Sequence, residues 1–234
     1  MGSIFKFKQF EVDQDGCAMK INTDGVLLGA VADHPSPANI LDIGTGTGVI
    51  ALMLAQRFNT ANINAVEIDE SAAKAASKNC LNSPFADRTM VAHSSFEDFK
   101  SDLKYEMIVS NPPFFINDLK NPEKRKEIAR HADQDFFEIL LKKAAGMLAK
   151  EGLLWLILPV KQAESVVVNA VLQQLFPSKI IHVYSDQTKA SFRQIICLGF
   201  NDRSPLQEHL YIYEAQNLHT DQYKYLLKDF LLAF

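Results

Sequence analysis

From residue 40 onward, apolar runs alternate with stretches whose apolar positions recur every three or four residues. That is the pattern of a parallel sheet whose strands are joined by helices. "NILDIG" predicts a first strand ending in a glycine-rich turn, "VIALMLAQRF" a largely buried helix and "INAVEID" a second strand. "SAAKAASKNCLN" predicts a helix with small residues inward, capped by Asp69 or Ser71. "TMVAHS" and "YEMIVS" give the third and fourth strands. "DFFEILLKKAAGMLAK" spaces Phe136, Ile139, Leu140, Ala144 and Leu148 helically, with Gly152 as its stop. "LLWLILP" is a fully apolar fifth strand, "KQAESVVVNAVLQQL" a helix, and "KIIHVYS" and "RQIICLGF" two closing strands. "DQYKYLLKDFLLAF" reads as a final amphipathic helix. The expected fold class is α/β: a doubly wound, mostly parallel, seven-stranded sheet with helices on both faces.

The first forty residues follow another pattern. "FKFKQFEVDQ" alternates apolar and polar positions, as a hairpin or edge element does. "KINTDGVLLGA" leads through a Thr-Asp-Gly turn toward a helix beginning near Val26. This arm, residues 4–39, is expected to lie over the carboxyl edge of a core spanning 40–234. No repeat, linker or low-complexity tract divides the chain, so 4–234 reads as one domain.

Composition narrows the classes of function. Apolar content of 47% and charged content of 22% are those of an ordinary globular protein. No window approaches the apolar length of a bilayer span, and Met1-Gly2-Ser3 does not read as a signal peptide. Cys17, Cys80 and Cys197 are scattered without a CxxC pair, which suggests no zinc site or disulfide framework and fits a cytoplasmic setting. A formal net charge of −4 argues against a general nucleic-acid coat, though a local basic face is compatible with it.

The loop Asp42-Ile43-Gly44-Thr45-Gly46-Thr47-Gly48 stands where an open α/β sheet binds ligands, beyond the carboxyl end of its first strand. Glycines there allow tight turns and close ligand approach. Glu67 ends the next strand, 19 residues after Gly48, where a carboxylate can accept from both hydroxyls of a ribose. The spacing G-x-G-x-G differs from the dinucleotide pattern G-x-G-x-x-G, and a phosphate loop would need Gly-Lys-Ser/Thr. D-x-G-x-G-x-G resembles the first motif of the S-adenosylmethionine-dependent methyltransferases, whose fold is Rossmann-like. The resemblance implies that Asp42, Gly44, Thr45, Gly46 and Gly48 wrap the methionine part and that Glu67 holds the ribose. It also implies an adenine contact at Ser95 and Phe96, where many relatives carry Asp in place of Ser95. Capping or plain solvent exposure is the bland alternative for the two carboxylates.

"VSNPPFF" ends the fourth strand in a stiff corner, because each proline fixes φ and pushes the preceding residue toward extended geometry. Taken alone, this is a strand ending in a proline turn. Beside a methyl-donor loop, Asn111-Pro112-Pro113-Phe114 resembles the (N/D)PP(Y/F/W) motif of methyltransferases acting on planar nitrogens. The resemblance implies that the Asn111 side-chain oxygen and the Pro112 carbonyl accept the two N–H bonds of the target. Pro113 would set their angle, and Phe114 would stack on the target ring.

The arm narrows the resemblance. "CAMKINTDGVLLGA", "DIGTGTG", "NPPFF" and "RHADQDFFEILLKKAAGMLAKEG" together are similar to the valine-tRNA adenine N6-methyltransferase family over nearly the whole chain. That family modifies the unpaired adenine beside the anticodon, so a tRNA is the expected partner and S-adenosylmethionine the expected cofactor, with no metal. The family's arm closes over the donor, which implies Lys20, Thr23 and Asp24 near the methionine end; a capping turn built on Thr23 or Asp24 is compatible. The stretch "KNPEKRKEIARH" reads as a loop whose Lys120, Lys124, Arg125, Lys126 and Arg130 guide phosphates. Lys6 and Lys8 would add a second contact, although an ordinary solvated loop and edge strand explain these residues too. Guanine-N2 methylation of ribosomal RNA and glutamine N5-methylation of a protein share the proline motif. A nicotinamide oxidoreductase and a non-catalytic RNA-binding protein are the readings from other classes.

Overall fold

The computed structural model describes residues 4–17, 19–112 and 122–234, with the backbone alone for 122–134. Strands β1 (Ile4–Lys6) and β2 (Glu11–Asp13) form the expected antiparallel hairpin, Ile4 opposite Asp13. Helix α1 (Thr23–Val31) follows, then β3 (Asn39–Ile43), α2 (Val49–Arg57), β4 (Asn62–Glu67), α3 (Glu70–Leu81), β5 (Thr89–His93) and β6 (Tyr105–Ser110). The second half runs α4 (Pro122–Met147), β7 (Leu148–Pro159), α5 (Val160–Ala170), β8 (Phe176–Tyr184), β9 (Arg193–Gly199) and β10 (Leu206–Tyr211). A short hairpin, β11 (Tyr213–Ala215) with β12 (Leu218–His219), precedes α6 (Asp221–Leu227).

The central sheet has the order β10-β8-β9-β7-β6-β3-β4-β5. All neighbours are parallel except those of β9, which runs against both β7 and β8. Adjacent residues on a strand point to opposite faces, and the core divides accordingly. Ile40, Ile63, Met107 and Trp155 pack with Leu27, Leu28, Leu52, Met53 and Leu227 of α1, α2 and α6. Leu41, Ile108, Leu154 and Leu156 pack with Leu140, Leu141, Ala144, Ala163 and Val166 of α4 and α5. Both faces are covered, which is why the central strands read as unbroken apolar runs.

Four expectations need correction. The sheet has eight strands: β10 pairs in parallel with β8 and escapes periodicity because an edge strand keeps exposed polar residues such as Gln207 and His209. The stretch read as a basic loop is helical from Pro122, a residue whose missing N–H suits a first helical turn. Gly152 does not stop that helix; β7 already begins at Leu148, and Gly152 lies within it. There a Cβ would stand 2.7 Å from the Tyr105 carbonyl oxygen, beside the register shift between β6 and β7. The final helix covers only seven residues, capped by Thr220 Oγ1, which accepts from Tyr223 N at 3.1 Å. After it the chain turns, and Leu231 bridges Phe7.

The arm is tied to the core by aromatic packing and by one asparagine. Phe7 and Phe10 stack with centroids 4.4 Å apart, and Phe85 meets Phe10 edge-on at 6.1 Å. Asn79 of α3 accepts from Asp13 N at 2.9 Å and donates to Asp13 O at 3.0 Å and Thr47 O at 2.9 Å. One buried amide therefore fastens the hairpin to the glycine loop. Lys6 pairs with Glu11 at 3.0 Å, and Lys8 Nζ donates to the Phe234 carbonyl at 2.7 Å, both contacts being exposed.

Candidate active site

The glycine loop leaves β3 through three left-handed residues: Gly44 at φ 70°, Gly46 at 58° and Gly48 at 83°. A side chain is strained at such angles. At Gly44 and Gly46 a Cβ would meet no heavy atom within 4 Å, so the loop faces open space. At Gly48 a Cβ would make only an ordinary contact, 3.4 Å from Ala76 Cα of α3, so the left-handed angle alone calls for glycine there. Asp42 braces the turn from below: its Oδ2 accepts from Thr45 Oγ1 at 2.6 Å and from Ala51 N at 3.2 Å. Asp42 is 0% exposed, and its Oδ1 has no hydrogen-bond partner among the described residues. Burial, with a smaller contribution from Glu67, pushes Asp42 up to about 7, although the bonds from Thr45 and Ala51 oppose the rise.

Glu67 ends β4 beside the loop. Its Oε2 accepts from Gly46 N and its Oε1 from Asp69 N, both at 2.9 Å. Each carboxylate oxygen has more than one lone pair, so both retain accepting capacity. Asp69 is the cap of α3, its Oδ1 accepting from Ala72 N at 2.8 Å.

The end of β6 lies against the same loop. Ser110 pairs with Ile43, and its Oγ donates to the Ile43 carbonyl at 2.8 Å. Asn111 therefore leaves the sheet at the level of Gly44, with Pro112 buried behind it. Above the corner stands the N-terminus of α1. Its cap is Asn22, not Thr23 or Asp24: Asn22 Oδ1 accepts from Gly25 N at 2.9 Å. The same oxygen accepts from Asn111 Nδ2 at 3.5 Å, so the donor side of the Asn111 amide faces Asn22.

The remaining sequence-derived residues fall into three groups. Ser95 and Phe96 follow β5, but the Ser95 hydroxyl donates to Asp98 Oδ2 at 2.8 Å and accepts from Asp98 N at 3.0 Å. Phe96 is half-buried, with Lys143 Nζ 5.2 Å from its ring centroid. Lys20 and Thr23 are exposed, whereas Asp24 is buried and its carboxylate is bound by Arg193 Nε at 2.7 Å. Pro113, Phe114 and Lys120 lie outside the described residues, as do the side chains of Lys124, Arg125, Lys126 and Arg130. Asn22 and Asn79 escaped the sequence reading. A polar amide within a face of small and apolar residues was the available signal for Asn79.

Glycine loop, acidic strand end and proline corner on one edge of this sheet define a class I, Rossmann-like methyltransferase. Solved structures share the fold. A protein described as a predicted O-methyltransferase from Agrobacterium tumefaciens superposes with a TM-score of 0.67 at 17% identity, covering 88% of this chain and 96% of its own. A ribosomal protein L11 methylase from Lactobacillus delbrueckii gives 0.57 at 15% identity, with 80% and 82% covered. The family model for the methyltransferase small domain matches residues 21–179. A Pedobacter heparinus protein named tRNA1(Val) (adenine(37)-N6)-methyltransferase is 57% identical over 234 residues, all of both chains. Its namesake in Bacteroides thetaiotaomicron is 42% identical over 97% of each chain. This chain belongs to the methyltransferase small domain family and, within it, to the family of these full-length relatives.

Proposed function

We propose that the chain methylates the exocyclic N6 amine of the unpaired adenine beside the anticodon of a valine tRNA, with S-adenosylmethionine as donor, in the cytoplasm. The observation that carries this reading is the Ser110–Ile43 contact, which sets Asn111 one residue beyond the sheet and beside Gly44. The open space over Gly44 and Gly46 leaves room for such a cofactor to approach the backbone. The unpartnered Asp42 Oδ1 and the two Glu67 oxygens supply acceptors of the kind its ammonium and ribose hydroxyls require. Asp42, Gly44, Thr45, Gly46, Gly48 and Glu67 would hold it, with Ser95, Phe96, Lys20, Thr23 and Asp24 around it. When bound, the cofactor supplies a methyl group on a sulfonium sulfur.

The protein's own contribution is to make a flat amine reactive. The lone pair of an aromatic amine is delocalised into the ring, so the nitrogen is a poor nucleophile. Acceptors on its two N–H bonds favour a pyramidal nitrogen whose lone pair is localised. Asn111 Oδ1 and the Pro112 carbonyl would be those acceptors, fixed before the reaction begins. Because the Asn111 amide turns its donor side to Asn22, its oxygen is the side that serves the substrate. Pro113 would hold the angle and Phe114 would align the ring. No strong base is needed, since the methylated nitrogen loses its proton readily while it carries positive charge. Lys120, Lys124, Arg125, Lys126 and Arg130 would guide the RNA backbone.

Asn111→Ala tests the corner. Turnover should fall about 100-fold or more, the scale of one lost transition-state hydrogen bond. Cofactor affinity should stay at its wild-type value. Near-normal turnover by a folded variant would remove Asn111 from the chemistry.

A further inference from the structure

Next to the proline corner lies a groove of about 500 Å³, lined by Asn22, Thr23 and Asp24 of the arm and by Phe192, Arg193 and Tyr213. One wall is the N-terminus of α1, where Asn22 is also the residue that touches Asn111. The opposite rim carries Phe192 and Tyr213, each 37% exposed. Tyr213 is the outer ring of a three-ring stack. Its centroid lies 4.8 Å from His219, which lies 4.9 Å from the buried Tyr223, with interplanar angles of 26° and 12°. On the floor, Asp24 and Arg193 offset each other's charge through their 2.7 Å contact. The groove therefore offers ring faces and short polar groups rather than net charge.

Single-stranded RNA is recognised by splaying its bases onto aromatic side chains, and such stacking tolerates any base because each has a π-face. A base drawn to Asn111 leaves its neighbours within one nucleotide of the corner. We propose that this groove receives a nucleobase flanking the target, stacked on Tyr213 and bordered by Phe192. This subsite rests on the RNA-methylating reading above. It adds to that reading a contact that recognises an adjacent nucleotide by its π-face.

The test is a binding cycle with valine-tRNA transcripts that carry an abasic nucleotide on one or the other side of the target. For the wild-type protein, an abasic site on one side should weaken binding about tenfold, the size of one lost base–aromatic stack. The double variant Phe192→Ala/Tyr213→Ala should bind the intact transcript that weakly and lose nothing more on the abasic one. Tyr213→Phe should retain wild-type affinity. If the double variant binds like wild type, or if the two losses multiply for both neighbours, the subsite is wrong. Multiplied losses would also expose a merely structural effect of the substitutions. Methylation of the intact transcript by the wild-type protein is measured alongside. Its failure would overturn the function while the binding cycle still decides the groove.

Discussion

At the head of α1 one oxygen serves two elements, since Asn22 Oδ1 accepts both from Gly25 N and from Asn111 Nδ2. The two roles separate by substitution. Serine caps helices as well as asparagine does but is too short to reach Asn111. Asn22→Ser should therefore unfold at nearly the wild-type temperature while kcat drops roughly tenfold, as loss of one orienting hydrogen bond implies. Asn22→Asp, which keeps both acceptor contacts, should restore kcat. Wild-type kcat in the serine variant would show that the contact does not orient the amide.

Asp42 calls for a different measurement. Its carboxyl rises from an ordinary 3.8 to about 7, so the folded protein binds its proton more tightly than the unfolded chain does. The resulting stability is full below pH 3.8 and is lost as pH rises through about 7. Between pH 5 and 8 the wild-type Tm, measured without cofactor, should carry a downward contribution that Asp42→Asn removes. An unchanged pH profile in that variant would contradict the assignment. Asp42 and Glu67 were legible in the sequence because their chemistry follows from their place beside a glycine turn. Asn22 was not, because a cap one residue earlier makes the same helix, and only the folded chain brings it to Asn111.

At the scale of elements, the strand-to-helix turn after β3 depends on backbone angles that only glycine adopts without strain. Gly46→Ala should destabilise the fold by about 1–2 kcal/mol. Its methyl group also enters the open space over the loop, so the Kd for S-adenosylmethionine should rise about tenfold or more. A titration showing wild-type affinity would place the cofactor elsewhere. Gly152→Ala addresses packing alone. Its Cβ would press on the Tyr105 carbonyl at 2.7 Å, and the Tm should fall with a loss of about 1–3 kcal/mol and no change in cofactor affinity. The buried parallel strands were legible because both of their faces are apolar. Strand β10 was hidden because its outward face is polar. The α4–β7 boundary was hidden because a glycine inside a bulge and a glycine ending a helix look the same in one dimension.

The whole molecule is a doubly wound sheet whose carboxyl edge gathers residues far apart in sequence: Asn22 from the arm, Gly44 to Gly48, Glu67 and Asn111. The strand order reverses at β3, with β4 added on one side and β6 on the other, and this opens the crevice where such folds bind ligands. The order of motifs along the chain already implied that convergence. The groove at Phe192 and Tyr213 could not be read that way, since β9, the β11 hairpin and α1 meet only in the folded chain. The central claim is that this edge methylates a tRNA adenine on N6. Incubating the protein with labelled S-adenosylmethionine and tRNA that lacks the modification, followed by nucleoside analysis, tests it most directly. The account predicts label in N6-methyladenosine beside the anticodon of valine tRNA. Label in N2-methylguanosine, or a labelled protein glutamine with none in RNA, would contradict it.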